Sequence, residues 1–564
     1  MLKNTRPVVL LFVTLVFAVS ASAEQNRSYW DNEVPASWNG RWEPKFQTVP
    51  EKTNFTRTTS TLELHEFVSM LKWNSERIHV LTVFTSPLRK VAPAVVLANP
   101  RVISPQDAAK SGKPVIYLQG NIHPPEAEGT EALLMVMRDI LFGNRQHLLD
   151  NQILIICPIF NVDGTDTFST RDGTPHIIGA RSNAAGMDLN RDAIKLETTE
   201  VNGLYQAVLN RWDPVLLFDA HAMGRVKHGY AIVYATSTVP AAHPAPRGYV
   251  WSSLFPSVRD AIRRNFGLET FSHCMFDEEK WPPTAWSHDR AAWTVEAKFV
   301  ASAYGLRNRM SILVETPGHP SFERRTYAQY AYITELLEYT NARGREMMEI
   351  CRNADEEIVS LISAQAGSGQ VKNYVEGKYE SWGKIDLLAY QKNEAAYLPG
   401  TSVLDTAPGT ATGPPEVVPG VEHLTKPVGT KEATVPMGYL IPAELSELAD
   451  KLRTHKIKVQ VLEKPMKVEG EEFVVDRMLK ARRSGYDMTR LEGGFFRHSV
   501  REFPAGTYHI NMAQPLAHLA FYCLEPEAAD GFVGWGLLDA HLRGLGIERR
   551  SVVYPIFKYF KAIE

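Results

Sequence analysis

The stretch PVIYLQGNIHPPEAEGTEALLMVMRDILFG, from Pro114 to Gly143, joins two periodicities across one turn. Val115 to Leu118 form a short apolar run of the kind a buried strand needs. Leu133, Leu134, Met137, Ile140 and Leu141 then recur at steps of three and four, which places them on one face of a helix. Gly120, Asn121, Pro124 and Pro125 punctuate the passage between the two. His123 and Glu126 sit three residues apart at the mouth of that helix, where their side chains can project to the same side.

Outward from this unit the same alternation continues. ILIICPIF (153–160), PVLLFDAH (214–221), YAIVYAT (230–236) and SILVET (311–316) read as strands, and TELLEYTNARGREMMEI (334–350) reads as a helix leaving the domain. Strands alternating with helices from about Lys113 to Met348 predict an α/β fold with a mixed, mainly parallel β-sheet flanked by helices. The character changes after Gln365. The segment Tyr397–Gly420 is rich in Pro, Gly and Thr and reads as a linker. Beyond it, GYLIPAELSELADKLRTHKIKVQVLEK (438–464) reads as strand, helix, strand. The expected organisation is a signal peptide over 1–23, an N-terminal extension over 24–55, a catalytic domain over 56–365, and a smaller α+β or β-rich C-terminal domain over 370–564 that includes the linker 397–420.

The chain has 564 residues, 44% hydrophobic and 22% charged, enough for more than one core. A net charge of -3 with neither a basic block nor a long acidic run gives nothing that points to nucleic acid or anionic lipid, and no nucleic-acid partner is expected. At the N-terminus, Lys3 and Arg6 precede a mostly apolar run, Val8–Val19, and Ala21-Ser22-Ala23 forms a cleavage signature. That run is short of the roughly 20 residues a membrane span needs. A secreted or periplasmic protein cut after Ala23 is expected, with no membrane span after signal removal and a formal charge moved from -3 to -5 by the loss of Lys3 and Arg6. Cys157, Cys274, Cys351 and Cys523 are far apart and form no metal-ligand spacing; Cys157 lies in an apolar run and reads as a buried small hydrophobe.

Ligands in an open α/β sheet sit beyond the carboxyl ends of its strands. PVIYLQG runs into His123 and Glu126, PVLLFDAH ends at His221, and SILVET ends at Glu315. These side chains can therefore converge although they are far apart in the chain. Two neutral imidazoles and one carboxylate match a catalytic zinc site that keeps a position open, and a further carboxylate beside it can move a proton to the leaving amine. Each piece alone is weak: an H-x-x-E tetrapeptide recurs by chance, and Glu315 alone reads as a salt-bridged residue at a sheet edge. His228, His273 and His319 compete with His221 for the third place. His221 is favoured because it directly follows an apolar strand and has Asp219 nearby to orient it.

HPPE (123–126), NVDG (161–164), RSNAAGMDLNRD (181–192), DAH (219–221) and ILVET (312–316) occur in the order found in the zinc carboxypeptidases, and over Thr56 to Ala364 the chain resembles that carboxypeptidase A-like family. A His-Glu-His zinc site is the ligand set for which carboxypeptidase A is a standard example. The resemblance implies one Zn2+ per chain held by His123, Glu126 and His221. It also implies zinc-activated water with Glu315 as general base, Arg181 as oxyanion stabiliser, and Asn190 and Arg191 as the grip on a substrate's free C-terminal carboxylate. Without it, Arg181 and Arg191 would read as exposed loop arginines. Tyr304 is a candidate for the family's substrate-capping tyrosine and reads equally as a core aromatic; Arg307 and Arg309 line the site or support it. The expected function is an exported zinc-dependent metallopeptidase, a carboxypeptidase acting on peptides. An amidase or peptidoglycan stem-peptide hydrolase using the same centre, and a non-catalytic peptide-binding module, are the alternatives.

Overall fold

Eight strands hydrogen-bond into one mixed sheet in the spatial order 78–85, 91–97, 153–157, 115–119, 216–222, 310–316, 232–235, 270–272. The four in the middle run parallel to one another, and antiparallel pairs flank them on both sides. In this computed structural model the described residues are 27–38, 42–171, 174–177, 179–224, 226, 228–276, 281–287, 295–365, 370–391, 414–483 and 486–561. The expected signal peptide lies outside them.

The central strands are apolar along their length because both faces are covered, and every residue of Val115–Gln119, Ile153–Cys157, Leu216–Ala222 and Met310–Thr316 is buried. The expected helical stripe forms within Glu128–Phe142, where Leu133, Leu134, Met137 and Ile140 are fully or almost fully buried. A long helix, Phe322–Ala364, packs against that helix and against Phe255–Phe266. All five strand expectations are met. The strands Ile78–Thr85, Val91–Leu97 and Thr270–Ser272 extend the sheet beyond them.

Register fixes the site. Glu315 lies opposite His221 and Thr316 opposite Ala222 in neighbouring parallel strands, and Gln119 lies opposite Asp219 on the other side. Three strands therefore deliver their last residues to one edge of the sheet.

Of the Pro/Gly-rich segment 397–420, residues 397–413 lie outside the described residues, and Glu416–Leu424 forms a strand paired with Lys384–Ala389. Further on, Gly438–Ile441, Ser446–Thr454 and Gln460–Val461 form the expected strand, helix and strand. The longest strands of this region are a pair, Met466–Arg483 and Tyr486–Phe503, at one side of a seven-stranded sheet in which the first also pairs with Val552–Val553 and Phe557–Tyr559. All four cysteines are buried.

Candidate active site

The turn between the Gln119 strand and the following helix sets the first pair of side chains. Asn121 takes a left-handed conformation at φ 59°, and the Glu126 amide donates to the His123 carbonyl at 2.9 Å. His123 and Glu126 thus face one another across a single turn just ahead of the helix, which begins at Glu128. The helix can approach the His221 strand because position 129 is glycine: a Cβ there would lie 2.4 Å from the Ala220 Cβ.

His221 Nδ1 lies 2.8 Å from Glu126 Oε2, and His123 Nδ1 lies 3.1 Å from Glu126 Oε1. Ligand atoms of His123, Glu126 and His221 all fall within 4.8 Å of one another, the one such group among the described residues. Donors at 2.0–2.1 Å from a tetrahedral zinc lie roughly 3.3 Å apart, so these separations suit that ion. The far nitrogens are held from behind. His123 Nε2 is 2.9 Å from Asp188 Oδ1, and His221 Nε2 is 3.0 Å from Asp219 Oδ2. Asp219 is fixed in turn by Gln119 Nε2 at 3.0 Å, and Gln119 by the Tyr117 hydroxyl at 2.9 Å. Carboxylates behind both imidazoles orient each ring with Nδ1 toward Glu126. His123 Nδ1 is buried and faces Glu126 Oε1 without a well-aligned hydrogen bond, which suits an atom that would bind a cation.

Electrostatics match this geometry. Burial pushes Glu126 up, but His123 and His221 outweigh it and hold the carboxyl well below the usual range. Burial also opposes a charged His221, yet Asp219 and Glu126 hold it well above the ordinary imidazole range. Glu315 behaves oppositely: burial and the Glu126 charge push it up to about 8, against the pull of His221 and Arg181. One of its oxygens, Oε2, is buried with no hydrogen-bond partner.

The arginine loop closes the other side. Arg181 is half-exposed; its Nη1 reaches Glu126 Oε1 at 2.9 Å and its Nε reaches Asp188 Oδ2 at 3.2 Å. Arg191 lies over the Phe299 ring, 4.6 Å from its centroid, with Nη1 donating to the Asn190 carbonyl at 2.9 Å. Asn190 is buried: its Oδ1 accepts from the Val300 amide at 2.9 Å and its Nδ2 lies 3.3 Å from His221 Nε2. Its amide is thus turned inward to brace the loop beneath the histidine.

Asp188 is the site residue that sequence reasoning passed over. It binds His123 and Arg181 and accepts from the Asn190 amide at 3.0 Å. Burial raises its pKa, but His123, Arg191 and Arg181 hold it far below the usual carboxylate range. The available signal was its place between Arg181 and the Asn190-Arg191 pair. Asp192, equally close, instead caps the segment that follows by accepting from the Glu197 and Thr198 amides. The other candidates resolve as scaffold. Tyr304 is fully buried and donates to the Pro214 carbonyl at 2.5 Å, so it is a core aromatic. Arg307 donates to the His455 carbonyl, and Arg309 pairs with Asp213 and Asp355, at the opposite end of the Glu315 strand. His228, His273 and His319 stand outside the three-ligand group.

A mixed α/β sheet presenting two imidazoles and a carboxylate beside a spare buried carboxyl defines a metal-dependent hydrolase. Comparison with known proteins narrows the class. Residues 73–215 match the family model described as zinc carboxypeptidase; this stretch contains His123, Glu126, Arg181, Asn190 and Arg191, whereas His221 and Glu315 lie beyond it. The chain is 23% identical over 478 residues to Carboxypeptidase 2 of Trichophyton equinum, covering 78% of this chain and 76% of the relative. Among solved structures, a metallo-carboxypeptidase from Burkholderia cenocepacia aligns at 17% identity and TM-score 0.37, covering 50% of this chain and 70% of that one. The carboxypeptidase A from Helicoverpa armigera aligns at 15% identity and TM-score 0.37, covering 51% and 75%. The family-model match and the Trichophyton relative bear out the resemblance to the zinc carboxypeptidases. The enzyme class is a zinc-dependent metallocarboxypeptidase, a hydrolase with zinc as its cofactor.

Proposed function

We propose that this enzyme is exported and removes a residue from the free C-terminus of a peptide, with His123, Glu126 and His221 holding the zinc. The observation that carries this reading is the unpartnered Oε2 of Glu315 beside the His-Glu-His cage. A buried carboxyl raised to about 8 is costly to keep unless its proton is used. Zinc, when bound, polarises the scissile carbonyl and lowers the pKa of water.

The chain's own groups supply the rest. Neutralising the cage charge favours the anionic form of Glu315, which then takes a proton from the attacking water and passes it to the leaving nitrogen. The half-exposed Arg181 guanidinium is placed to meet charge developing on the carbonyl oxygen. Arg191, oriented by the Phe299 ring and by Asn190, offers a planar fork to the terminal carboxylate. Asp188 and Asp219 keep the two imidazoles aimed and in the right tautomer.

Residues 56–365 are read as the catalytic domain and 370–564 as an accessory domain. Export rests on the N-terminal sequence; among the described residues no helix is long and apolar enough to cross a membrane. N-terminal sequencing of the mature protein should begin at Glu24. The function is tested with paired peptides, one ending in a free carboxylate and one in an amide. Release of the last residue from the free acid only, abolished by a chelator and restored by zinc, is the expected result. Equal cleavage of the amide would remove the carboxylate grip assigned to Arg191.

A further inference from the structure

Three consecutive carbonyls of the loop that carries Asn190 and Arg191 are each met by a side chain. The Tyr205 hydroxyl donates to Ala193 at 2.9 Å, His455 Nε2 lies 2.8 Å from the Ile194 oxygen, and Lys451 Nζ donates to Lys195 at 2.7 Å. The last two come from the C-terminal region, on the helix Ser446–Thr454 and just after it. His455 is fully buried, and the catalytic region forms a socket around it. Its ring meets Tyr205 edge-on at 5.2 Å, its carbonyl accepts from Arg307 Nη1 at 2.9 Å, and the Thr454 carbonyl accepts from Asn210 Nδ2 at 2.7 Å. Arg307 and Asn210 are themselves joined, Nη2 to Oδ1, at 2.9 Å. A carbonyl can only accept, so His455 Nε2 carries the proton. Burial pushes this imidazole down to about 3; the Ile194 carbonyl opposes the shift, and Arg307 and Lys451 add to it. The ring is therefore neutral, and its single N–H is used on the loop.

We infer that His455 is a positioning residue for the substrate grip: by fixing the Ile194 carbonyl, three residues beyond Arg191, the C-terminal region sets where the Arg191 guanidinium meets the terminal carboxylate. Arg191 itself is loosely tied. It lies over the Phe299 ring and donates to the carbonyl of its own neighbour Asn190, while its Nη1 is 3.9 Å from Asp188 Oδ2, too far for a hydrogen bond. The guanidinium therefore goes where the backbone carries it. The segment between the grip and the latch is short and held along its length, with the Val300 amide on Asn190 at 2.9 Å and the Ala193 amide on the Lys298 carbonyl at 3.3 Å, so a shift at Ile194 passes to Arg191 rather than dissipating. Arg191 holds the carboxylate alike in the ground state and the transition state. Displacing it weakens binding and leaves the chemical step alone.

The inference rests on the carboxypeptidase reading, and the experiment separates the two. Full-length, zinc-loaded wild type is first assayed on an unstructured peptide with a free C-terminus. His455→Phe keeps a ring between Tyr205 and Phe532 but removes the N–H. It should raise KM about fivefold with kcat within about twofold, the scale of one lost hydrogen bond, at unchanged zinc content. His455→Gln, whose amide returns a donor to the Ile194 carbonyl, should bring KM back to within about twofold of wild type. Lys451→Met removes the neighbouring contact near the surface and should raise KM by about two- to threefold; it decides the matter if His455→Phe does not fold. A lowered thermal midpoint with KM unchanged in His455→Phe and Lys451→Met overturns this inference alone, because a contact that merely joins two regions predicts that result. No residue release by zinc-loaded wild type overturns both readings.

Discussion

The strand Met310–Thr316 has a charged side chain at each end, partly buried Arg309 and buried Glu315, and they are treated in opposite ways. Just ahead of its start, every nitrogen of the Arg309 guanidinium is engaged: Nε and Nη2 pair with Asp213 at 3.0 and 2.7 Å, Nη2 reaches Asp355 at 3.0 Å, and Nη1 donates to the Asp355 carboxylate and to the carbonyls of Arg307 and Asn308. At its other end Glu315 keeps one buried oxygen without any partner. An ion with a full set of partners supports the fold, whereas a buried carboxyl oxygen without a hydrogen bond costs stability. The contrast separates scaffold from site along a single strand, and substitutions at each end can break it.

The largest expected effect is at Glu315. Glu315→Gln keeps the shape but removes the proton carrier, so kcat should fall by about 10³-fold, within the 10²- to 10⁴-fold range of general acid–base catalysis. Zinc content should be unchanged, and the thermal midpoint equal to or above wild type, because a desolvated carboxyl is gone. Turnover at the wild-type rate would place Glu315 among the scaffold residues. Arg309→Met should show the inverse. Removing the shared partner leaves Asp213 and Asp355 without their cation, a loss of about 1–3 kcal/mol because Asp213 is half-exposed to solvent. Denaturant unfolding measures that loss, and kcat per folded, zinc-loaded molecule should match wild type. A selective loss of kcat with normal stability would reverse the assignment of the two ends.

Much of this division was legible in the sequence. The apolar runs ending in His221 and Glu315 identify strand ends, and parallel register then brings them opposite one another. The helix mouth after Gln119 likewise announces His123 and Glu126. Asp188 escaped because its partner, His123, is 65 positions away and nothing local distinguishes it from Asp192. The inward turn of Asn190 depends on the Val300 amide, another long-range contact. The ribbon 466–503 was hidden for a different reason. Its strands bury only scattered residues such as Phe473, Val475, Met488 and Leu491 between charged ones, so no apolar run marks them.

A raised pKa does not by itself mark the site, and Glu131 shows why. This carboxyl on the helix Glu128–Phe142 is also pushed up to about 8, by burial first, with Glu63 and Glu51 adding to it. Unlike Glu315, both of its oxygens are bonded, to the Thr59 amide and to the Thr59 hydroxyl, each at 2.7 Å. Its folded pKa is raised above the ordinary 4.5, so it contributes stability that is fully present below about 4.5 and is lost as pH rises to about 8. Glu131→Gln has no proton to lose over that window. The variant's thermal midpoint, followed from pH 5 to pH 8, should therefore gain on wild type by about 2 °C, a small shift in a chain of this size. Its kcat should be unchanged throughout. A variant that instead lost activity with an unaltered pH dependence of stability would show that bonded and unbonded buried carboxyls are not distinguished in the way that Glu315 and Arg309 suggest.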